Sequence, residues 1–150
     1  MNFVLFGDFK HTDMSKTTFF ALMLLATAAW TGCQKESEPD IRDGFVATYS
    51  VTETWTENSK TLSKPAFTMS VEKSSQHNNM VLLNNFANYG AGITAEATIS
   101  GNKLTIPQQT LPNLKAIIGS GTLTDITLIF TYTESYNSIS IDITATAKKK

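Results

Sequence analysis

Apolar and polar residues alternate one by one along much of this chain, which is the pattern of β-strands that bury one face. The clearest case is the final segment. Apolar side chains take every second position there and polar ones the positions between: Ile139, Ile141, Ile143 and Ala145 against Ser138, Ser140, Asp142, Thr144 and Thr146. The same period of two recurs upstream, beginning near Phe45. We therefore expect an all-β domain.

Eight strands are predicted, with polar or glycine-containing turns around them. The strands cover residues 45–55, 67–71, 80–83, 93–99, 104–106, 115–123, 126–132 and 139–145. Turn signals fall at residues 58–59, 74–79, 90–92, 100–102, 119–121 and 135–137. No helical period is visible and no connection has the length of a crossover helix, so antiparallel up-and-down order is favoured, with a tight hairpin at 100–102.

Eight antiparallel strands can close into a barrel or stack as two sheets. A closed barrel has no exposed edges, whereas a sandwich keeps them. We predict a single small up-and-down barrel over residues 44–147, with a β-sandwich as the alternative.

A continuous apolar run near the N-terminus breaks the alternation. Residues 16–33 read KTTFFALMLLATAAWTGC: one Lys, a dozen largely apolar residues at 19–30, and then the only cysteine of the chain. A membrane-crossing helix needs roughly 20 apolar residues, so this run is too short. A buried core helix is the other interpretation, but the order of charge, apolar stretch and small residues is typical of a secretory signal peptide.

The end of this run resembles the lipobox of bacterial lipoproteins, although Trp30 stands where a Leu is typical. The resemblance implies cleavage before Cys33 and lipidation of its thiol. Residues 14–32 are then the signal peptide. Residues 1–13 carry Asp8 and Asp13, which do not suit a signal n-region, so they are assigned to an upstream extension. Several acyl chains hold a protein on a membrane where one does not.

The residues that follow Cys33 are polar and charged. Residues 34–38, QKESE, resemble the acidic export signal of Bacteroidota-type surface lipoproteins, which implies a lipid-anchored outer-membrane protein exposed at the cell surface. A periplasm-facing position and a merely solvated tether are the alternatives. Residues 33–43 are assigned to this tether, and residues 148–150, KKK, to a solvated basic tail.

Four segments of the domain carry a family resemblance. They are GFVATYSV at 44–51, NFAN at 85–88, ISGNKLTIPQQ at 99–109, and IGSGTL followed by ITLIFTY within 118–132. Together they resemble the small calycin-like, or lipocalin-like, lipoproteins of the same bacteria, over residues 44 to about 133. The resemblance implies a small barrel, with Gly119 and Gly121 in a tight bend, and says little about activity.

The chain offers little material for catalysis. Its 12 Lys and Arg balance 13 Asp and Glu, so no basic footprint for nucleic acid exists. His77 lies in a polar turn, and with Cys33 lipidated no cysteine and histidine cluster remains for zinc. Residues 119–121 lack the spacing of a phosphate-binding loop. We expect no enzyme activity, no metal and no cofactor.

Two carboxylates of the first predicted strand are candidates for an acid and base pair. Glu53 and Glu57 share one face of the first strand, and Glu53 has the same parity as the apolar Tyr49 and Val51. An inward carboxylate needs a partner or water. Two placements stay open: a polar spot inside a cavity, or a hydrated position at the barrel mouth, which is the preferred expectation.

Seven side chains are candidates for lining a ligand pocket: Tyr49, Glu53, Trp55, Phe67, Met69, Phe130 and Tyr132. An eight-stranded barrel is just wide enough for one small ligand or for its own side chains. We expect a packed interior with a shallow cup at one end. The preferred function is a non-catalytic binding module for a small apolar or amphipathic ligand. The alternative is a structural lipoprotein that contacts an envelope protein or glycan through its outer face.

Overall fold

The computed structural model describes residues 38–150, whose strands all belong to one antiparallel sheet. The strands are β1 (Ala47–Glu57), β2 (Lys60–Ser63), β3 (Phe67–Lys73), β4 (Met80–Asn84), β5 (Thr94–Ser100), β6 (Lys103–Thr110), β7 (Ala116–Thr124), β8 (Thr127–Tyr136) and β9 (Ile139–Lys149). A short 3₁₀ helix, Phe86–Asn88, lies between β4 and β5. Within residues 38–150, no helix has the length and apolar character needed to cross a membrane.

The sheet closes on itself. From β3 onward each strand pairs with its neighbour in sequence, and β9 returns to pair with β1 from Tyr49↔Lys149 to Trp55↔Ile143. β2 and β3 lie along the same edge of β1, β3 beside residues 47–51 and β2 beside residues 54–57. β2 and β3 therefore occupy one strand position of the barrel, with a break between them. The barrel is eight-stranded. The predicted up-and-down barrel is confirmed.

Two-residue turns connect the strands of the β1–β2 and β8–β9 hairpins. Asn58 and Ser59 join β1 to β2, and Asn137 and Ser138 join β8 to β9, all four with positive φ. Positive φ at both central residues is the requirement of a type I′ turn, whose twist matches that of the strands. The hairpin predicted at residues 100–102 also forms, with Gly101 at φ 59°.

Gly119 and Gly121 are not in a bend, contrary to the sequence-based expectation. Both lie inside β7, opposite Tyr132 and Phe130 of β8. A Cβ on Gly121 would stand 2.4 Å from Phe130 Cβ, and one on Gly119 would stand 2.6 Å from Tyr132 Cβ. The two glycines therefore leave the room in which the β8 aromatic side chains pack.

The barrel interior is filled by its own side chains. Inward positions such as Val51, Met69, Leu83 and Leu104 have no exposed surface at all. A cavity able to hold water would leave exposed surface on the side chains around it. Because these residues show none, the packed interior that eight strands predict is what the chain adopts.

The residues that precede β1 cover one end of the barrel, the closed end. Phe45 is buried there and its carbonyl accepts a hydrogen bond from Tyr49 Oη at 2.8 Å. Arg42, 8% exposed, donates to the carbonyls of Ser74 at 2.9 Å and His77 at 2.8 Å. Residues 40–43, assigned above to the tether, are thus part of the folded unit.

The basic tail is also folded. Lys148 and Lys149 belong to β9, and Lys150 donates its backbone N–H to the carbonyl of Thr48 at 3.0 Å. The expected tail is therefore corrected: Lys148 and Lys149 belong to the closing strand and Lys150 continues its pairing, whereas the side chains of Lys148 and Lys150 are exposed as expected.

Asp40 makes the stability of the closed end depend on pH. The Arg42 side chain and backbone N–H donate to Asp40, Lys73 adds an ion pair at 3.0 Å, and together they hold the pKa of Asp40 well below its usual range. A depressed folded-state pKa stabilises the fold above the unfolded value of about 3.9, and this contribution is lost as pH falls toward the folded value.

Asp40→Asn is accordingly expected to lower the free energy of unfolding at pH 7 and to flatten its decline between about pH 4 and pH 2. Urea unfolding at half-unit pH steps measures both effects. Asp125→Asn makes the same charge change in an exposed turn and serves as the control. Identical pH profiles for wild type and Asp40→Asn would refute the prediction.

Candidate binding site at the open end of the barrel

The inward-facing row of side chains continues beyond the filled interior at the opposite, open end. β1 ends here and β9 begins here, because the strands are antiparallel. Cross-strand partners share a face of the sheet. In the β8–β9 hairpin, Tyr136 pairs with Ile139, and both have the inward parity of the buried pair Tyr132 and Ile143. Tyr136 and Ile139 rise past the core into solvent.

These side chains form an apolar lip. It consists of inward-parity residues from two projecting hairpins, β1–β2 and β8–β9: Trp55, Leu62, Tyr136, Ile139 and Ile141. Ile139 is 66% exposed, Tyr136 48%, and Leu62 and Ile141 37% each. Trp55 is half-buried and packs against the core. Exposed apolar side chains at one end of a filled barrel make this lip a candidate binding surface.

The two hairpins part from each other at this end. Pairing between β1 and β9 stops at Trp55↔Ile143, although β1 runs on to Glu57 and β9 starts at Ile139. The seam therefore opens into a groove of about 710 Å³, the seam notch. It is lined by Thr54, Trp55, Thr56, Glu57, Asn58, Thr61, Ile139, Ser140, Ile141, Asp142 and Thr144.

A buried carboxylate lies below the lip. Glu53 is 0% exposed, and one of its oxygens accepts a hydrogen bond from Tyr132 Oη at 2.8 Å. Lys64 Nζ lies 2.9 Å from the other oxygen, as an ion pair whose alignment is not that of a hydrogen bond. Burial, together with the charge of Glu53, raises the pKa of Tyr132, which stays protonated and donates.

A second ion pair lies at the same end. Lys115 Nζ is 2.5 Å from Glu134 Oε1 and 2.8 Å from Tyr89 Oη, which itself donates to Glu134. Burial, and then Glu134, raise the pKa of Tyr89 to about 12. Burial disfavours the charge on Lys115, but its bonds to Glu134 and Tyr89 outweigh this and leave its pKa raised.

Tyr89 connects the two ion pairs. Lys115 Nζ lies 4.5 Å and Lys64 Nζ 5.1 Å from the centroid of its ring, within the range of cation–π attraction. Each lysine is matched by one glutamate, so the network carries no net charge. It forms a polar floor whose acids and bases are already engaged with each other.

A strained loop holds this floor in place. Asn85, Ala87 and Asn88 all have positive φ, between 54° and 59°. Phe86 between them is buried, with its ring centroid 4.8 Å from that of Tyr132, and Lys64 Nζ donates to the Ala87 carbonyl at 3.2 Å. Left-handed conformations at non-glycine residues persist where the surroundings impose them, and they concentrate at functional sites.

Comparison with known proteins adds little to this geometry. No protein-family profile matches the chain, and no curated protein matches it. Among solved structures, the chain is similar to the crystal structure of a "putative outer membrane protein" from Bacteroides fragilis, with 20% identity and a TM-score of 0.48. The match covers 74% of this chain and 53% of the other, so the chain spans about half the length of that protein.

The seven predicted pocket residues fall into two groups. Tyr49, Phe67, Met69, Phe130, Tyr132 and Glu53 all lie in the packed interior, and Trp55 borders the seam notch. Glu53 is not hydrated at the mouth, contrary to the preferred expectation; it is buried and paired. Glu57 is exposed, so the two glutamates occupy different environments and do not form a buried pair.

The remaining sequence candidates lie away from the open end or outside the described part. His77 is in the β3–β4 loop at the closed end, and no group of three or more His, Cys, Asp or Glu able to hold a metal occurs within residues 38–150. Cys33, the signal peptide 14–32 and the extension 1–13 lie outside the described residues.

Sequence reasoning missed four members of the polar floor: Lys64, Tyr89, Lys115 and Glu134. Glu134 had a signal, since it continues the even parity of Phe130 and Tyr132 in β8. Lys115 also had one, since the strand predicted over residues 115–123 gives it the parity of Ile117. Lys64 had none, because it lies in the connection after β2, where no period assigns a face.

Proposed function

We propose that this chain is a lipid-anchored envelope protein whose barrel is a non-catalytic recognition module that binds its partner with the open end. The observation that carries the proposal is the exposed apolar lip above a filled interior. A packed barrel offers no room for a ligand within, and the lip brings four apolar side chains, 37–66% exposed, to one end of the barrel.

Lipidation of Cys33, an outer-membrane location and exposure at the cell surface rest on the lipobox and the acidic QKESE segment. A calycin-like relationship rests on the sequence segments that resemble that family.

Site-specific photo-crosslinking in intact cells tests the proposed recognition surface. A benzophenone side chain at Ile139 is expected to give adducts with an envelope component. The matched control is Ile129, 52% exposed on the outer face of β8. Adducts from Ile129 but none from Ile139 would place recognition elsewhere on the barrel and refute the proposal.

A small amphipathic ligand is the second candidate, because Trp55 borders the seam notch beside exposed isoleucines. After cleavage before Cys33, Trp55 is the sole tryptophan of the chain. Its fluorescence is expected to change saturably with a fatty acid, haem or a bile salt if this candidate holds. No response to any of the three contradicts it and leaves the macromolecular partner.

A further inference from the structure

We infer that the seam notch binds an extended peptide segment of a partner protein, which pairs as an added strand with the free edge of β9. The inference rests on the proposed function and names the partner class for the same end of the barrel. Three features of the notch carry it: unpaired backbone groups, apolar side chains on one face, and two acidic side chains with no Lys or Arg among the lining residues.

The hairpin turns determine which backbone groups face the notch. In a two-residue hairpin the residues that flank the turn bond to each other, so Ile139 bonds to Tyr136 and Glu57 to Lys60. The alternation of antiparallel pairing then directs the N–H and C=O of every second residue outward from the hairpin. Ser140, Asp142 and Thr56 therefore present their backbone groups to the notch.

Pairing between β1 and β9 ends at Trp55↔Ile143, a non-hydrogen-bonded pair flanked by a bond from the Thr56 N–H to the Asp142 carbonyl. The N–H and C=O of Ser140 lie beyond this last bond and have no strand partner in the described part of the chain. Open edges of this kind are the ones to which another chain adds. Residues 139–141 extend about 10 Å at roughly 3.3 Å per residue. This length suits a short extended segment of about three residues, the geometry of recognition by strand addition.

The side chains around the notch indicate which residue types the bound peptide segment carries. Ile139 and Ile141 lie on the inward face, where alternate apolar residues of an added strand would contact them. Glu57 and Asp142 both line the notch, and none of its lining residues is Lys or Arg. The complementary segment alternates apolar residues with at least one Lys or Arg, the latter beside Asp142.

A second copy of this chain fits less well. Two copies joined through this edge would bring two notches together, each with two carboxylates and no base among its lining residues. Like charges across an interface oppose association, so the partner that we infer is a different protein. Self-association is an outcome that the experiment detects.

A phage-displayed library of random dodecapeptides, selected on the full chain in detergent, is the probe. The decisive pair of variants is Ser140→Pro and Ser140→Ala. Both remove the hydroxyl that contacts Ser135 Oγ at 2.8 Å, and only proline removes the N–H that faces the notch. Proline is tolerated where the missing N–H points away from the sheet, so the β8–β9 pairing is retained.

Selected peptides are expected to carry alternating apolar and basic residues and to bind Ser140→Pro about tenfold more weakly than Ser140→Ala, the effect of roughly one hydrogen bond. Bound peptide should slow amide hydrogen exchange at Ser140 in wild type. Asp142→Asn should weaken binding about threefold at low salt and less at high salt.

Two results separate the inference from the proposed function. Equal binding to the proline and alanine variants, together with loss of binding in Ile139→Ser, overturns strand addition and keeps the open end as the binding surface. Binding unaffected by any of these variants, failure to select any peptide that reports on Ser140, or dimerisation through this edge on size-exclusion chromatography also overturns the inference. Binding unaffected by Ile139→Ser counts against the proposed function as well.

Discussion

Lys64→Met is expected to lower the free energy of unfolding by about 3 kcal/mol, at the lower end of the range for breaking a buried ion pair. Lys64 is the cation that faces Glu53, at 2.9 Å, and the Glu53 side chain is 1% exposed. Methionine keeps the apolar length of the side chain but leaves a buried carboxylate with only the Tyr132 hydroxyl as a partner. The Ala87 carbonyl also loses its donor.

A double-mutant cycle with Glu53→Gln isolates the charge effect, because the amide oxygen can still accept from Tyr132. In the Glu53→Gln background, Lys64→Met should cost much less than in wild type, as measured by urea unfolding. Lys60→Met is the control. Lys60 faces Glu57 across the exposed end of the same hairpin, where a pair contributes about 0–1 kcal/mol. Equal costs of Lys64→Met in both backgrounds would show that the Glu53 charge is not what Lys64 stabilises.

Alternation along the strand predicts the face that Glu53 occupies but not its contact with Lys64. Glu53 has the parity of Tyr49 and Val51, and in the structure it lies on their side of the sheet. Whether an inward carboxylate meets water or a cation depends on which loop folds over it. The residues that pair with Glu53 are Lys64, in a break between two strands, and Tyr132, 79 positions away. No local pattern encodes that contact.

The open end was beyond prediction for a related reason. Ile139 and Ile141 continue the period of the closing strand, so the pattern predicts that they are buried like Ile143. They are exposed because the register of β9 on β1 starts only at Ile143↔Trp55. Register between the first and last strands of a barrel follows from how all the strands between them are offset. The alternation therefore specifies which face a side chain occupies, and the closure decides whether that face is covered.

Gly121→Ala is expected to lower the free energy of unfolding by about 1–3 kcal/mol, the usual range for overpacking a filled core. A Cβ at this position would meet Phe130 Cβ at 2.4 Å and the Ile129 carbonyl oxygen at 2.6 Å. Neither neighbour is the flexible end of a side chain, so β7 and β8 must separate to admit the methyl group. Thermal and urea unfolding should both report the loss.

Gly44→Ala is the matched control, since its Cβ would meet only Leu123 Cδ2, at 3.8 Å, an ordinary contact. It is expected to leave stability unchanged or to raise it slightly, because alanine restricts the unfolded chain more than glycine does. If Gly121→Ala proved as mild as Gly44→Ala, the barrel would have slack between β7 and β8. The conclusion that the interior is filled would then fail. Recognition at the rim rather than inside the barrel would lose its reason.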